Sequence, residues 1–352
     1  MSINNYSVSA RILHHLALGS SLVRRASFDL ETSVASGGES QTNHRHVFIC
    51  GLARAGTTVL MRSFYDSGKL CSLTYRNMPF VLMPNLWKKL SGRFYLHEQA
   101  QERAHGDGLS VDFDSPEAFE EVFWRTFCGS QYILKDRLIP HEVSEEIITS
   151  FRKYISCVTA SSDIPGQRYL SKNNNNILRL HAIRSAFPNA LIVIPFRNPL
   201  AQAFSLLTQH RRFLAMHNED RFSRSYMDWL AHYEFGASHK PFCFSGDTTL
   251  PLNIGYQTDN INYWLALWVR TYSYILEHLH AINAIAVCYE ELCRNPEKTL
   301  APLFAVADLP LEAMNATMFI CNPSENNMEG MIDMELKQQA ERIYQRLSGN
   351  LR

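Results

Sequence analysis

The sequence has 352 residues, of which 46% are hydrophobic and 19% are charged, a composition typical of a soluble globular protein with a sizeable core. This length allows one large α/β domain or two small ones. The formal net charge is zero, so no overall field favours nucleic acid or a membrane surface, and any anion-binding site must be local.

The cysteines and the apolar segments indicate the cellular compartment in which the protein is expected. Eight cysteines are scattered along the chain without a CxxC pair, which favours a reducing compartment without disulfides or a zinc site. No stretch reaches the roughly 18 apolar residues of a membrane span. Residues 12–23 come nearest, but they lack the basic lead and cleavage site of a signal peptide. We therefore expect a cytoplasmic protein without a membrane span or a nucleic-acid partner, in an oligomeric state that the sequence leaves open.

The N-terminal residues are predicted to form an extension of the main domain. Residues 8–32 have the pattern of one or two amphipathic helices that pack on the domain surface. Residues 33–43 are polar and rich in Ser and Gly, which is typical of a linker. We therefore divide the chain into an extension and linker over 1–43, a main domain over 44–312, and a helical, polar tail over 313–352.

The stretch HVFICGLARAGTTVLMRSFYDSG, residues 46–68, predicts a short buried strand over 47–50, a turn between two glycines, and a helix over 57–67. Such a turn at a helix N-terminus gathers free backbone N–H groups into an anion site, whose usual occupant is phosphate. The alternative is a surface turn that carries two glycines by chance.

The spacing of Gly51, Gly56 and Thr58 matches the P-loop of nucleotide triphosphatases. In those enzymes a Lys at the position of Thr57 reaches the β- and γ-phosphates, so its absence predicts a ligand without a γ-phosphate. Arg54 supplies a cation inside the loop, with planar bidentate donors suited to phosphate or sulfate oxygens.

The second informative region is a βαβ unit. Residues 169–172 predict the end of a strand, and residues 191–196 predict a second buried strand that ends at Arg197. The alternation predicts an α/β fold: a three-layer, P-loop-like domain with a central parallel sheet and helices on both faces. Because ligands bind at the carboxyl ends of such strands, we expect Gly51, Lys172 and Arg197 to lie at one crevice.

Several of these patterns together resemble the sulfotransferase family, whose donor is 3′-phosphoadenosine-5′-phosphosulfate (PAPS). Residues 51–58 resemble that family's 5′-phosphosulfate loop in its Arg-x-Gly-Thr-Thr form, which is typical of many bacterial members. Arg197, followed eight residues later by Ser205 on the next helix, resembles the family's 3′-phosphate motif. Residues 289–297 resemble its Tyr-Glu-Asp-Leu stretch with Asn-Pro after it.

The resemblance implies a soluble, bacterial-type enzyme that transfers a sulfonate group from PAPS to a hydroxyl of a small-molecule or carbohydrate acceptor. The transfer would be an in-line displacement without a metal ion, and adenosine 3′,5′-bisphosphate (PAP) would be the product. Arg54 and Lys172, which falls where the family has a strand-end Lys, would neutralise charge on the transferring group. The residues implied to bind the donor are Gly51, Arg54, Ala55, Gly56, Thr57, Thr58, Arg197, Ser205 and Tyr289.

The general base is not where the family would place it. The segment after the loop helix contains no Glu, and Asn174 occupies the position of a His that serves as base in the cytosolic branch. Residues 96–114 offer His105, because imidazole titrates near neutral pH, with Asp107 or Glu102 to orient or replace it. The alternative is that these residues form a charged helix end capped by glycine.

The aromatic-rich stretches at residues 211–237 and 262–279 have helical spacing. We expect them to be helical insertions at the acceptor site, forming a lid over about 211–279. Trp264 and Trp268 lie four residues apart, so a buried core stripe is the favoured interpretation over a sugar-binding platform.

Two other function classes stay open from the sequence. A P-loop kinase or NTPase is disfavoured by the missing Lys, and by Arg197 where an Asp for Mg²⁺ would be wanted. A non-catalytic nucleotide- or glycan-binding relative of the fold is kept open by the unplaced general base. Metal dependence of nucleotide binding distinguishes the kinase from the sulfotransferase.

Overall fold

The computed structural model describes residues 7–34, 45–91, 118–244, 256–315, 319 and 332–349, and the backbone of residues 101–102 and 110–111. Across these ranges the strands are β1 (Val47–Ile49), β2 (Leu70–Cys71), β3 (Gln101–Glu102), β4 (Ser110–Val111), β5 (Arg168–Lys172), β6 (Leu191–Phe196) and β7 (Ile285–Cys288). Strands β3 and β4 form a separate antiparallel pair. The other five form one parallel sheet in the order β2-β5-β1-β6-β7, which confirms the predicted sheet.

Helices surround this sheet. In the described ranges the α-helices are α1 (Val8–His14), α2 (Ser21–Val34), α3 (Thr57–Tyr65), α4 (Pro84–Ser91), α5 (Glu121–Tyr132), α6 (Glu145–Ala160), α7 (Leu180–Ala186), α8 (Pro199–Glu219), α9 (Arg221–Trp229), α10 (Ile261–His278), α11 (Tyr289–Arg294), α12 (Pro296–Val306) and α13 (Met334–Gly349). A 3₁₀-helix, Asn174–Arg179, follows β5.

The side chains of β1 show why the domain has three layers. Val47 and Ile49 belong to one hydrophobic cluster, whereas Phe48 belongs to another, and all three are fully buried. Successive side chains of a strand point to opposite faces, so the sheet separates two apolar cores. Trp264 and Trp268 are also fully buried, which confirms their assignment to the core.

Some predicted boundaries differ from the structure. The apolar run before residue 291 predicts a last strand over 284–290. In the structure β7 ends at Cys288, and Tyr289 already belongs to α11. The helical stretch over 211–237 is broken at Asp220, whose carboxylate accepts hydrogen bonds from the N–H groups of Phe222 and Ser223 and so caps α9. Strand β2 was not predicted, because two residues give no recognisable period.

The N-terminal helices pack on the main domain. Glu31 of α2 is 2% exposed, and its carboxylate accepts from the backbone N–H groups of Asn85 (3.0 Å) and Leu86 (3.1 Å) at the start of α4. A carboxylate at this position satisfies otherwise unpaired donors of the helix N-terminus. Among the helices of the described residues, none is both long and apolar enough to cross a membrane.

Candidate functional site

The glycine-flanked loop lies at the carboxyl end of β1, in the middle of the sheet. Ile49 pairs with Lys172 of β5 on one side and with Val193 of β6 on the other. A Cβ atom at Gly51 would lie 3.1 Å from the carbonyl oxygen of Pro195, a tight contact that glycine avoids where the loop passes close to β6. The loop, Lys172 and the end of β6 therefore share one edge of the sheet, as predicted.

The loop leads directly into α3, whose N-cap is Gly56. Gly56 has φ = +82°, and Arg54 has φ = +68°, so both adopt the left-handed conformation. The first backbone N–H groups of α3 have no acceptor within the helix, and the helix dipole places partial positive charge there. The loop thus has the geometry of an anion-binding helix N-terminus.

The ring of Tyr289 covers Gly56. A Cβ atom built on Gly56 would lie 2.4 Å from Cδ2 and 2.7 Å from Cε2 of that ring, which is far inside van der Waals contact. Any side chain at this position would therefore both strain the backbone and displace the tyrosine.

This contact gives a stability prediction. We expect Gly56→Ala to lower the free energy of unfolding more than Gly68→Ala does, because both have positive φ but only Gly56 faces a ring. The left-handed conformation alone costs Ala about 1–2 kcal/mol, which is the change expected at Gly68. Urea unfolding of the two variants measures the difference, and equal losses would show that Tyr289 moves aside without cost.

Two of the predicted motifs are in direct contact. Arg54 Nε donates to Ser205 Oγ of α8 at 3.0 Å. The guanidinium of Arg197 lies 5.0 Å from the centroid of the Tyr289 ring, within cation–π range. Lys172 is 8% exposed at the end of β5. The structure thus brings residues from four separated stretches to one edge of the sheet.

Gln202, which the sequence analysis did not single out, and Trp268, which it assigned only to the core, hold the loop backbone in place. Gln202 is fully buried, and its Nε2 donates to the carbonyl oxygen of Ala53 at 2.9 Å. Trp268 Nε1 donates to Gln202 Oε1, also at 2.9 Å. The amide is therefore fixed at both ends, and it fixes the loop backbone relative to α8 and α10. The sequence gives no local sign of this role.

The C-terminal helix also reaches the site. Glu290 Oε1 accepts from the backbone N–H of Asn198 at 2.9 Å, and its Oε2 accepts from the Tyr344 hydroxyl of α13 at 3.1 Å. Burial, with the nearby Cys288 and Glu290, raises the pKa of Tyr344, so the phenol stays protonated and can donate. The tail, to which the sequence assigned no site, thus supports the start of α8 beside Arg197.

A buried polar network lies beneath the end of β5. Arg179 donates to both carboxylate oxygens of Glu121, at 2.7 and 3.0 Å, and both side chains are fully buried. Asn173 Nδ2, in the residue after Lys172, donates to the same carboxylate at 2.7 Å, and Tyr132 donates to it as well. Burial alone would raise the pKa of Glu121, but the charge of Arg179 and these donors hold it below its ordinary value.

The four asparagines after β5, residues 173–176, combine helix capping with hydrogen bonds to distant residues. Asn173 does cap the 3₁₀-helix by accepting from the N–H of Asn175 at 3.1 Å. Asn174 Nδ2 donates to Glu234 Oε1 at 2.9 Å, and Asn176 Nδ2 donates to Glu120 Oε1 at 3.0 Å. These bonds connect the end of β5 to distant parts of the chain.

A cavity of about 20 Å³ lies beside the loop. Leu52 and Ala53 of the loop line it, as do Asn175, Glu234 and apolar side chains of α8 and α10.

The three candidate bases of the sequence analysis lie outside the described side chains. His105 and Asp107 lie outside the described residues, and Glu102 is described only through the backbone of β3. Among the described side chains, no group of three or more His, Cys, Asp or Glu residues could hold a metal ion. The described cysteines are free thiols, and burial raises the pKa of Cys50 and Cys288.

Comparisons with known proteins identify the family of the chain and structures to which it is similar. A sequence profile of the sulfotransferase family matches residues 46–242. No curated protein matches the sequence. The structure of sulfotransferase STF1 from Mycobacterium tuberculosis H37Rv superposes with a TM-score of 0.50 at 14% identity, covering 97% of this chain and 87% of that one. Sulfotransferase STF9 from Mycobacterium avium has a TM-score of 0.49 at 12% identity, with coverages of 98% and 79%.

Proposed function

Because the chain belongs to the sulfotransferase family, we propose that it transfers the sulfonate group of PAPS to a hydroxyl of a small-molecule or carbohydrate acceptor and releases PAP. The observation that carries the choice of donor is the clustering of Arg54, Ser205, Arg197 and Tyr289 at the N-terminus of α3. Bound PAPS would supply an activated sulfonate on a phosphate leaving group.

The donor set fits a ligand with two separate anionic groups. The N-terminus of α3, with Thr57, Thr58 and Arg54, suits the 5′-phosphosulfate. Arg197 and Ser205 suit a 3′-phosphate, because a fork of N–H donors plus a hydroxyl matches a dianionic monoester. Arg54, proposed for the 5′-phosphosulfate, is hydrogen-bonded to Ser205, proposed for the 3′-phosphate, so the two proposed anion sites adjoin each other. The Tyr289 ring offers a flat surface for the adenosine between them.

Charge neutralisation is the other proposed task of these residues. In-line transfer spreads negative charge over the equatorial and leaving oxygens, and fixed donors stabilise that charge without reorganisation. Arg54 and Lys172 lie at the edge of the sheet where this charge would develop. With these cations in place, the proposed reaction needs no divalent metal ion.

Removal of the proposed 3′-phosphate donor should weaken binding of PAP. We expect Arg197→Ala to raise the dissociation constant about 10- to 150-fold, which corresponds to the roughly 1.5–3 kcal/mol of a charge-assisted hydrogen bond. Arg197→Lys should recover only part of this, since Lys lacks the planar fork. The matched control is Arg294→Ala, because that arginine is 66% exposed on α11. Calorimetry measures the PAP affinity of each variant. An unchanged PAP affinity in Arg197→Ala would show that Arg197 does not bind the 3′-phosphate.

The experiment that tests the proposal as a whole is calorimetric titration with PAP in EDTA, with ATP and Mg²⁺ run in parallel. Tight, metal-free binding of PAP with no response to ATP is the expected result. Preference for ATP with Mg²⁺ would instead support a P-loop kinase or NTPase. Tight PAP binding without transfer from PAPS to any hydroxyl acceptor would indicate a non-catalytic relative.

A further inference from the structure

Glu234 lies close to the point where the strand-end lysine leaves the sheet. It falls between α9 and α10, in the part of the chain predicted to be a lid. Its Oε1 accepts from Asn174 Nδ2 at 2.9 Å, and Asn174 is only two residues beyond Lys172. Asn174 is 6% exposed and Glu234 is half-buried, and the hydrogen bond between them ties the carboxylate to the end of β5.

Glu234 also lines the cavity beside the anion loop. The volume of about 20 Å³ admits roughly one water-sized group, such as a hydroxyl. Most of the other lining side chains are apolar, among them Leu138, Leu206 and Trp264. In such surroundings a carboxylate interacts more strongly with a polar group that enters than it would in water.

The asparagines provide independent evidence that the cavity accommodates a polar ligand. Asn175 also lines it and is 1% exposed, and its Oδ1 has no hydrogen-bond partner among the described residues. Asn174 Oδ1 is likewise buried and unsatisfied within the described part of the chain. Buried polar atoms nearly always find partners in native proteins, so the Asn175 acceptor in the lining points to a hydroxyl or water that binds in the cavity, and the second unsatisfied acceptor belongs to the neighbouring residue.

The other titratable side chains that line the cavity, His239 and Lys240, already make hydrogen bonds to other residues. His239 makes hydrogen bonds through both ring nitrogens, to the carbonyl oxygen of Tyr233 at 3.1 Å and the hydroxyl of Tyr263 at 2.9 Å. Burial, reinforced by His210, lowers the pKa of His239 to about 3. Lys240 Nζ donates to the carbonyl oxygen of Leu134 at 2.9 Å. By contrast, Asn174 is the one hydrogen-bond partner of the Glu234 carboxylate within the described ranges.

We propose that Glu234 is the general base that accepts the proton of the acceptor hydroxyl, and that Asn174 is the residue that positions it. This inference rests on the proposed sulfonate transfer. One carboxylate oxygen stays bonded to Asn174, while the other faces the acceptor. The carboxylate takes the hydroxyl proton as the acceptor oxygen bonds to sulfur. The bond between sulfur and the 5′-phosphate oxygen breaks, and its electron pair leaves with that phosphate.

The test combines binding, stability and turnover in three variants. Glu234→Gln keeps the shape and the hydrogen bond from Asn174 but cannot take a proton, whereas Glu234→Asp keeps a carboxylate. Glu219→Gln is the matched control, since Glu219 is an exposed glutamate at the end of α8. For each variant we would measure the PAP dissociation constant by calorimetry, the melting temperature, and sulfonate transfer from ³⁵S-labelled PAPS to a panel of phenols, alcohols and sugars.

We expect Glu234→Gln to lower kcat by about 10²–10⁴, the usual contribution of a general base. Its PAP affinity and melting temperature should match those of the unmodified chain, Glu234→Asp should retain more activity than Glu234→Gln, and Glu219→Gln should change nothing.

Each of the other outcomes overturns a particular step. Full turnover by Glu234→Gln would remove the base assignment and leave the proposed function intact. A fall in PAP affinity or melting temperature in parallel with the rate would make Glu234 a structural residue. If the unmodified chain fails to bind PAP, or binds it and transfers to no acceptor, the proposed function fails and the base assignment fails with it.

Discussion

Glu121→Ala is expected to lower the free energy of unfolding by about 3–5 kcal/mol, because it leaves Arg179 charged and unpaired in the core. Both side chains of this ion pair are fully buried, so water cannot replace the lost carboxylate. The guanidinium also stacks over the rings of Trp124 and Tyr132, at 4.9 and 4.7 Å, which holds it in place after the partner is gone. Urea or guanidinium unfolding followed by tryptophan fluorescence measures the change.

The exposed ion pair between Lys88 and Asp163 is the control. These side chains are 48% and 89% exposed, so Lys88→Ala should cost less than about 1 kcal/mol. If Glu121→Ala does not fold, the double variant Glu121→Gln/Arg179→Met remains informative, because it removes both charges and should be the more stable of the two. Similar small losses in Glu121→Ala and Lys88→Ala would show that Arg179 reaches water.

Lys172→Ala is expected to lower turnover about 10²- to 10³-fold, the usual effect of losing one donor that stabilises developing charge. Lys172 is held at the end of β5 by pairing of that strand with β1, so its position relative to the anion loop is set by the sheet. Because its proposed role is in the transition state, PAP affinity should fall much less than kcat. Initial rates with PAPS and calorimetry with PAP separate the two effects.

A lysine at the amino-terminal ends of the strands, opposite the anion loop, serves as the control. Lys69 is exposed and precedes β2, which runs parallel to β5, so Lys69→Ala removes the same charge far from the loop. It should leave turnover unchanged. An equal loss in both variants would point to an effect of net charge, and a loss confined to PAP affinity would place Lys172 in binding alone.

Local patterns were the part of this protein that the sequence could predict. The strand before Gly51 and the helix that starts at Thr57 depend on residues within a few positions of each other, and the structure has both. Strand β6 was predicted with its observed bounds because it is a continuous apolar run followed by Arg197. The alternation of such strands and helices is what predicted the α/β fold class.

The parts of the site that the sequence did not predict depend on contacts between residues far apart in the chain. Glu234 is 60 positions from Asn174, and Gln202 is 149 positions from Ala53, so no window of sequence contains either pair. The sequence offered His105 as a base because a histidine among glycines and acids is locally conspicuous. Glu234 has no such neighbours, and only the folded chain shows its hydrogen bond to Asn174.

The hydrogen bond between Tyr344 and Glu290 has a consequence for the order of events during synthesis. It joins residues 54 positions apart, and Glu290 in turn holds the start of α8 beside Arg197. A growing chain that has reached Glu290 already contains every residue proposed to bind PAPS, yet it lacks the tyrosine that supports them. Nucleotide in the cell can stabilise only a state that binds it. Stabilisation by the nucleotide should therefore reach its full value only after residue 344 has left the ribosome.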